Sequence, residues 1–349
     1  KRNMPDWLNP QAPLLTRFLQ EAGYATAHYG KWHLANDMIP DSPLPSAYGI
    51  DEYGAFNCAG PQMFVHDDVK MAIPFIERSH ELGKPFFINL WMHEPHTPFH
   101  VDPKLLNKFS DLDEPDAIYA ATLYHADLRI GELLNALDRI GLADNTLVIF
   151  SSDNGPARSV PAAPLALTYD SATGLGYGIG AAKGITGGRR KYKGSLMEGG
   201  IGVPFIARWP GKIPAGKVDK SNFLSAVDLL PTFCELGGLT LPVDYRPDGV
   251  SQVSALMGKE KGTREKPLFW RMSHGYAMVH KQWKLVSDRK FSTFELFDLV
   301  ADPLESKDLS KLNNEVTQNL IGMIKDWTKS LPENPSGPVF SSLRAEPAK

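Results

Sequence analysis

Cysteine is scarce in this sequence: Cys58 and Cys234 are the only two among 349 residues. Two thiols make neither a disulfide framework nor a C-x-x-C metal pattern, so stability has to come from a buried core, which a chain of this length can build. Cys234 ends the apolar run Leu229-Leu230-Pro231-Thr232-Phe233-Cys234 and is expected to be a small buried hydrophobe, whereas Cys58, in Asn57-Cys58-Ala59-Gly60-Pro61, reads as a loop thiol. Positive charge is also lacking overall. The formal net charge is -3, so no global field argues for nucleic acid or an anionic membrane surface, and any anion site must be a local cluster. No run approaches the roughly 20 apolar residues of a membrane span, and no internal repeat is visible. The opening Lys1-Arg2-Asn3-Met4-Pro5 has no apolar signal region and no methionine at position 1, and reads as an internal piece of a longer chain.

What is present is ordinary for a soluble globular protein, with 42% hydrophobic and 22% charged residues. The length suits one large domain with a smaller one. Helical spacing of Leu14, Leu15, Phe18, Leu19 and Ala22 predicts a first helix stopped at Gly23, followed by a short strand, Tyr24 to Tyr29. A second helix is expected from Phe64 to Leu82, with a kink or break at Pro74. Phe86 to Met92 and Thr146 to Phe150 are near-continuous apolar runs, the pattern of strands covered on both faces. Between them the spacing predicts a helix over Asp116 to Ile140, with Ile118, Leu123, Ala126, Ile130, Leu133, Leu134 and Leu137 on its buried stripe. Val203 to Ala207 reads as a further strand, near an edge because of Pro204. This alternation predicts an α/β fold with a mostly parallel sheet flanked by helices. The Gly155–Gly188 stretch between strands reads as a long loop.

Composition changes near Gly262. Beyond it, short apolar runs separated by turn residues predict a small antiparallel sheet, with a helix from Glu315 to Trp327 packed on it. The expected division is therefore residues 1–262 and 263–349.

Ligands of parallel α/β sheets collect beyond the carboxyl ends of the strands, and four polar clusters follow or adjoin expected strands. Ser151-Ser152-Asp153-Asn154-Gly155-Pro156 offers oxygen donors suited to Ca²⁺ or Mg²⁺. The same residues also make an ordinary turn that closes a strand. Gly30-Lys31-Trp32-His33 puts a cation and an imidazole two residues apart, hence on one side of an extended segment. Equally, it reads as a solvated lysine beside a packed tryptophan. His93-Glu94-Pro95-His96-Thr97-Pro98 holds two imidazoles among prolines that disfavour a helical zinc pair, and both rings could simply be satisfied by backbone carbonyls. Arg189-Arg190-Lys191-Tyr192-Lys193-Gly194-Ser195, leading to Glu198-Gly199-Gly200, is a basic stretch beside flexible glycines, or a solvated loop.

Taken in order, these segments resemble the sulfatase family of the alkaline-phosphatase-like superfamily. The likeness runs from Ala22-Gly23-Tyr24 through Gly30-Lys31-Trp32-His33-Leu34, His93 to Pro98 and Asp138-Arg139-Ile140-Gly141-Leu142. It continues through Thr146 to Pro156 and Lys193 to Ile201, and on to Trp283-Lys284-Leu285 and Glu295-Leu296-Phe297-Asp298-Leu299. The resemblance implies an alkaline-phosphatase-like fold and hydrolysis of a sulfate ester, with a sulfated small molecule or carbohydrate as substrate and no nucleic-acid partner. It also implies that Asp153 and Asn154 ligate a metal, usually Ca²⁺, with Mg²⁺ an alternative. Lys31 and Lys193 would bind sulfate oxygens, His96 would sit near the leaving-group oxygen, and His33 would assist the nucleophile. His93 has no firm role. An exported location is the family's habit. The family's nucleophile is a formylglycine made from a C/S-x-P/A-x-R motif. Cys58-Ala59-Gly60-Pro61-Gln62 and Cys234-Glu235-Leu236-Gly237-Gly238 both fail that pattern, and the family's paired acidic metal ligands near its N-terminus are absent. Gly202 stands where many relatives have arginine. The expectation is that the nucleophile lies in a segment outside this sequence, and that the chain alone is inactive. The same residues leave two alternatives, a phosphate or phosphonate monoester hydrolase and a protein that binds sulfated glycans without turnover.

Overall fold

A computed structural model describes residues 4–35, 39–160, 163, 165, 167–170, 174–259 and 264–343. The expected boundary at 262 and 263 lies outside the described residues. The elements in order are α1 (Leu15–Glu21), β1 (Ala25–Lys31), β2 (Glu52–Phe56), α2 (Asp68–Glu81), β3 (Phe86–Trp91), α3 (Pro103–Leu106), α4 (Glu114–Ile140) and β4 (Val148–Ser151). They continue with β5 (Leu167–Asp170), β6 (Gly174–Tyr177), α5 (Glu198–Ile201), β7 (Phe205–Arg208), α6 (Leu229–Leu236) and α7 (Val253–Leu256). The last five are β8 (Leu268–Met272), β9 (Gly275–His280), β10 (Trp283–Asp288), β11 (Phe294–Asp298) and α8 (Asn314–Ser330).

The architecture is α/β. Strand β1 lies between β2 and β3, parallel to both. Ala27 and Tyr29 on β1 pack against Ala72 and Phe75 of α2, so one face of the parallel sheet is closed by that helix. Pro74 does not break α2. It lies on the exposed face, where the carbonyl left without its amide partner stays open to water. The helix starts at Asp68 rather than Phe64. The long α4 is capped at its start by Asp113, whose carboxylate accepts from the Asp116 amide at 3.1 Å, and it ends at Gly141 with φ +80.

Three expectations need correction. The strands Phe86–Met92 and Thr146–Phe150 are not covered on both faces. In the structure β3 is an edge strand and only half-buried, and β4 pairs antiparallel with β7 in a separate two-stranded sheet. Apolar content shows that a strand can be buried, but the neighbours that do so are a tertiary matter. On the expected stripe of α4, Ile118 and Leu137 are buried as expected, but Leu123 is 43% exposed, and Arg129, 4% exposed, joins the buried face in phase with Ile118 and Thr122. Finally, the Gly155–Gly188 stretch is not wholly a loop, because it contains the β5–β6 hairpin, tied to Phe99 by a pair of backbone hydrogen bonds with Tyr177. Cys58 does lie outside regular structure, but it is fully buried in a core with Trp32 and Tyr48. Cys234 is buried in α6 as expected.

The small C-terminal sheet is antiparallel, with order β11-β10-β9-β8, and α8 covers it. Met278, Leu285 and Leu296 on the sheet meet Leu320, Ile321 and Ile324 on the helix.

Candidate active site

The site begins where parallel strands end. Gly30 on β1 is in register with Trp91 on β3. Its φ is +110, and a Cβ there would stand 2.1 Å from the Trp91 carbonyl oxygen, so the two strand ends can approach this closely only at glycine. Lys31 and the His93–His96 segment therefore leave the sheet at the same rim.

A second pair of segments is joined by backbone contacts. After β4, the Gly155 amide donates to the Gly200 carbonyl at 2.9 Å, and the Lys193 amide donates to the Pro156 carbonyl at 2.9 Å. A Cβ on Gly155 would lie 2.0 Å from the Gly199 oxygen. The turn bearing Asp153 and Asn154 is thus stitched to the segment bearing Lys193. That segment is held from behind as well. Arg190 pairs with Glu295 at 3.0 Å, and fully buried Lys284 sits between Glu198 at 2.8 Å and Glu305 at 2.7 Å.

The two halves meet electrostatically. Partial burial holds the Lys31 ammonium below its ordinary value, with the Asp153 carboxylate opposing and the Lys193 charge adding to the effect. His96 is lowered first by burial. Its Nδ1 lies 2.6 Å from the Thr97 carbonyl oxygen, which raises it, while Lys31 and Lys193 both push it down and Asp153 pushes it up. Lys31, His96, Asp153 and Lys193 are therefore brought into one charged cluster. His33 is exposed, two residues beyond the end of β1 at Lys31. His93 is buried with Nε2 2.9 Å from the Pro98 carbonyl oxygen, and burial pushes it down to about 4, so its ring is neutral and packed.

The Asn154 side-chain amide donates to the Gly155 carbonyl at 2.9 Å, which leaves its Oδ1 available beside the exposed Asp153 carboxylate. Two adjacent hard oxygens suit Ca²⁺ or Mg²⁺, as part of the roughly six to eight oxygen ligands that Ca²⁺ takes. A hard cation fits this donor chemistry, and its remaining ligands would have to come from other groups.

One network behind the site was not anticipated. Arg129 bridges Asp68 at 2.8 Å and Glu94 at 2.6 Å, with all three side chains nearly inaccessible, and Glu94 also pairs with His66 at 3.0 Å. Burial works against charge on Glu94, but the His66 hydrogen bond and the Arg129 guanidinium outweigh it and hold the carboxyl at about 2. Asp68 goes the other way, pushed up to about 6 by burial against the pull of Arg129. The available signal was an arginine in phase with the buried face of α4.

The sequence and the fold, a parallel α/β core with a small antiparallel sheet behind it, match known proteins. The family model described as Sulfatase matches residues 5–239. The chain belongs to the sulfatase family. A second model, N-sulphoglucosamine sulphohydrolase, C-terminal, matches residues 192–331 of the chain. An N-acetylgalactosamine-6-O-sulfatase of Bacteroides thetaiotaomicron is 29% identical over 69% of the chain and 47% of its own length. Arylsulfatase G of Rattus norvegicus is 29% identical over 73% of the chain and 55% of its own length. The chain thus spans about half the length of the curated relatives it matches. Among solved structures, Ps i-CgsB superposes with a TM-score of 0.76 at 25% identity, covering 93% of this chain and 77% of that one.

Proposed function

We propose that this sulfatase chain supplies the sulfate-recognising part of an enzyme that hydrolyses sulfate esters on carbohydrates. The observation that carries the reading is the cluster of Lys31, His96, Asp153 and Lys193 at one rim of the sheet, where Asp153 and Lys193 act on Lys31 and all three act on His96. Two ammonium groups whose charges both reach His96 suit a tetrahedral oxyanion beside it and offset charge that develops on its oxygens. His96 gives its Nδ1 hydrogen to the Thr97 carbonyl and is held below its ordinary value, so Nε2 accepts in the neutral ring and serves the leaving-group oxygen as a proton donor only once it has taken up a proton. Asp153 and Asn154 would hold Ca²⁺ or Mg²⁺, which when bound supplies positive charge to the sulfate oxygens. His33, exposed just beyond β1, takes the role of assisting the nucleophile. The nucleophile itself is a formylglycine from a C/S-x-P/A-x-R motif that this sequence does not contain.

The carbohydrate preference is supported by the named activity of the Bacteroides thetaiotaomicron relative. An exported location and the division into 1–262 and 263–349 belong to the same reading. No helix among the described residues is long and apolar enough to cross a membrane.

The reading is tested by titrating the chain with inorganic sulfate and with a 6-sulfated N-acetylgalactosamine. Saturable binding is expected, weakened about ten- to a hundredfold by Lys31→Ala or Lys193→Ala, since a charge-assisted hydrogen bond contributes about 1.5–3 kcal/mol. Equal binding of the native chain and both variants would remove the sulfate clamp. Tighter binding of phosphate than of sulfate would favour the monoester phosphatase instead.

A further inference from the structure

Beside the segment that ends in His96, side chains from three distant parts of the chain converge. His66 precedes α2, Glu94 follows β3, and His125 lies in the middle of α4. One possible donor atom from each lies within 4.8 Å of the other two. His66 Nε2 is 3.0 Å from a Glu94 carboxylate oxygen, and the His66 and His125 rings stand 4.4 Å apart at 76°. The Glu94 side chain is 1% exposed. The Nδ1 nitrogen of His125 is buried and has no hydrogen-bond partner among the described residues. A buried imidazole nitrogen left in that state is costly, and such a group calls for a ligand.

Two imidazoles and one carboxylate are the donor set of borderline transition cations, not of Ca²⁺ or Mg²⁺. Three protein ligands with a fourth position for water is the usual open form of a zinc site. Zn–N and Zn–O bonds of about 2.0–2.1 Å put tetrahedral donors about 3.3 Å apart, so this cluster would contract by about 1.5 Å at most, within reach of side-chain rotation. The surroundings fit as well. The second oxygen of Glu94 is held by Arg129 at 2.6 Å, which orients the carboxylate as outer partners of metal ligands do. Asp68, 2.8 Å from the same guanidinium, offsets the cationic charge of Arg129. His125 is held below its ordinary value, first by burial and then by His66 and Arg129, which keeps a lone pair on the ring.

We propose that His66, Glu94 and His125 form a binding site for one divalent transition cation of the Zn²⁺ type, separate from the hard-cation donors Asp153 and Asn154. The opposing account is a metal-free network in which His66 only hydrogen-bonds Glu94.

The two accounts separate on the chelator-stripped, refolding-competent full chain titrated with Zn²⁺ by calorimetry and with Co²⁺ by visible absorption. One equivalent should bind, with the ligand-field bands of low-coordinate Co²⁺, and excess Ca²⁺ should not displace it. His66→Ala and His125→Ala should each weaken binding at least tenfold, while Asp153→Ala should leave it unchanged. The ring resonances of His66 and His125 in the native protein should shift on Zn²⁺ addition, which keeps the test valid if the alanine variants fold poorly. Absence of saturable Zn²⁺ and Co²⁺ binding by the native chain would overturn the site. So would binding that leaves both ring signals in place, or binding that disappears in Asp153→Ala.

Discussion

Arg129 shows how much one residue can hold. Its guanidinium is the shared partner of Asp68 and Glu94, and those side chains are 0% and 1% exposed. Removing it leaves two carboxylates buried, with the remaining compensation coming from His66, the Val69 amide and a backbone hydrogen bond to Glu94. Breaking a buried pair from one side typically costs about 3–5 kcal/mol, because the partner charge is stranded. Arg129→Met, which keeps the length of the side chain, is therefore expected to lower the free energy of unfolding in urea by about that amount. A further change of Asp68 to Asn should recover part of the loss. A loss below about 1 kcal/mol would mean that the network is not buried in solution. The sequence offered a faint sign of this residue, a charge in phase with the apolar face of α4. It offered none of its partners, which lie 61 positions away in the case of Asp68.

At the scale of elements, the β10–β11 hairpin depends on a carboxylate. Asp288 accepts from the amides of Ser292 at 2.7 Å and Thr293 at 2.9 Å, and from the Ser292 hydroxyl at 2.8 Å. These bonds, the Thr293 amide first, hold its carboxyl well below the usual carboxylate range. A carboxyl whose folded value is depressed binds protons more readily in the unfolded chain, so its stabilising effect is complete above an unfolded value of about 3.9 and fades as pH falls below it. The difference in urea midpoint between the native protein and Asp288→Ala should therefore be constant from pH 7 to about pH 5 and shrink at lower pH. A difference that stays level down to pH 3 would contradict the hydrogen-bonded turn. The element boundaries themselves were largely readable. β1, α1, α8 and the four C-terminal strands follow from apolar spacing and turn residues. The parallel pairing of β3 with β1 also agrees with its apolar run, but its position at an edge does not follow from composition.

At the scale of the whole molecule, the small C-terminal sheet and the rim that carries Lys193 are joined through a buried charge cluster. Lys284 on β10 is fully buried between Glu198 at the start of α5 and Glu305, and Glu305 also accepts from the Glu198 amide at 2.8 Å. Lys284→Met should cost about 3–5 kcal/mol of stability by leaving two carboxylates face to face. It should also weaken sulfate binding, because α5 and Gly199 hold the Lys193 segment against the Asp153 turn. Combining it with Glu305→Gln should restore part of the stability. Unchanged sulfate affinity in a folded Lys284→Met protein would show that the rear sheet does not position Lys193.

The sequence by itself determined the local elements and the chemistry placed after them: the lysine at the end of β1, the histidines after β3, the oxygen donors after β4, and the basic segment before α5. These are legible because side-chain periodicity and turn chemistry act over a few residues, and because strand ends are where a parallel sheet exposes polar groups. Only the tertiary structure brought the charges of Lys31, Asp153 and Lys193 to bear on His96. It likewise decided that β4 leaves the parallel sheet for β7, and that Arg129 and Lys284 are buried against carboxylates far along the chain. Those outcomes depend on which surfaces pack together and on the desolvation of charges that packing imposes, and neither is encoded in the spacing of neighbouring residues.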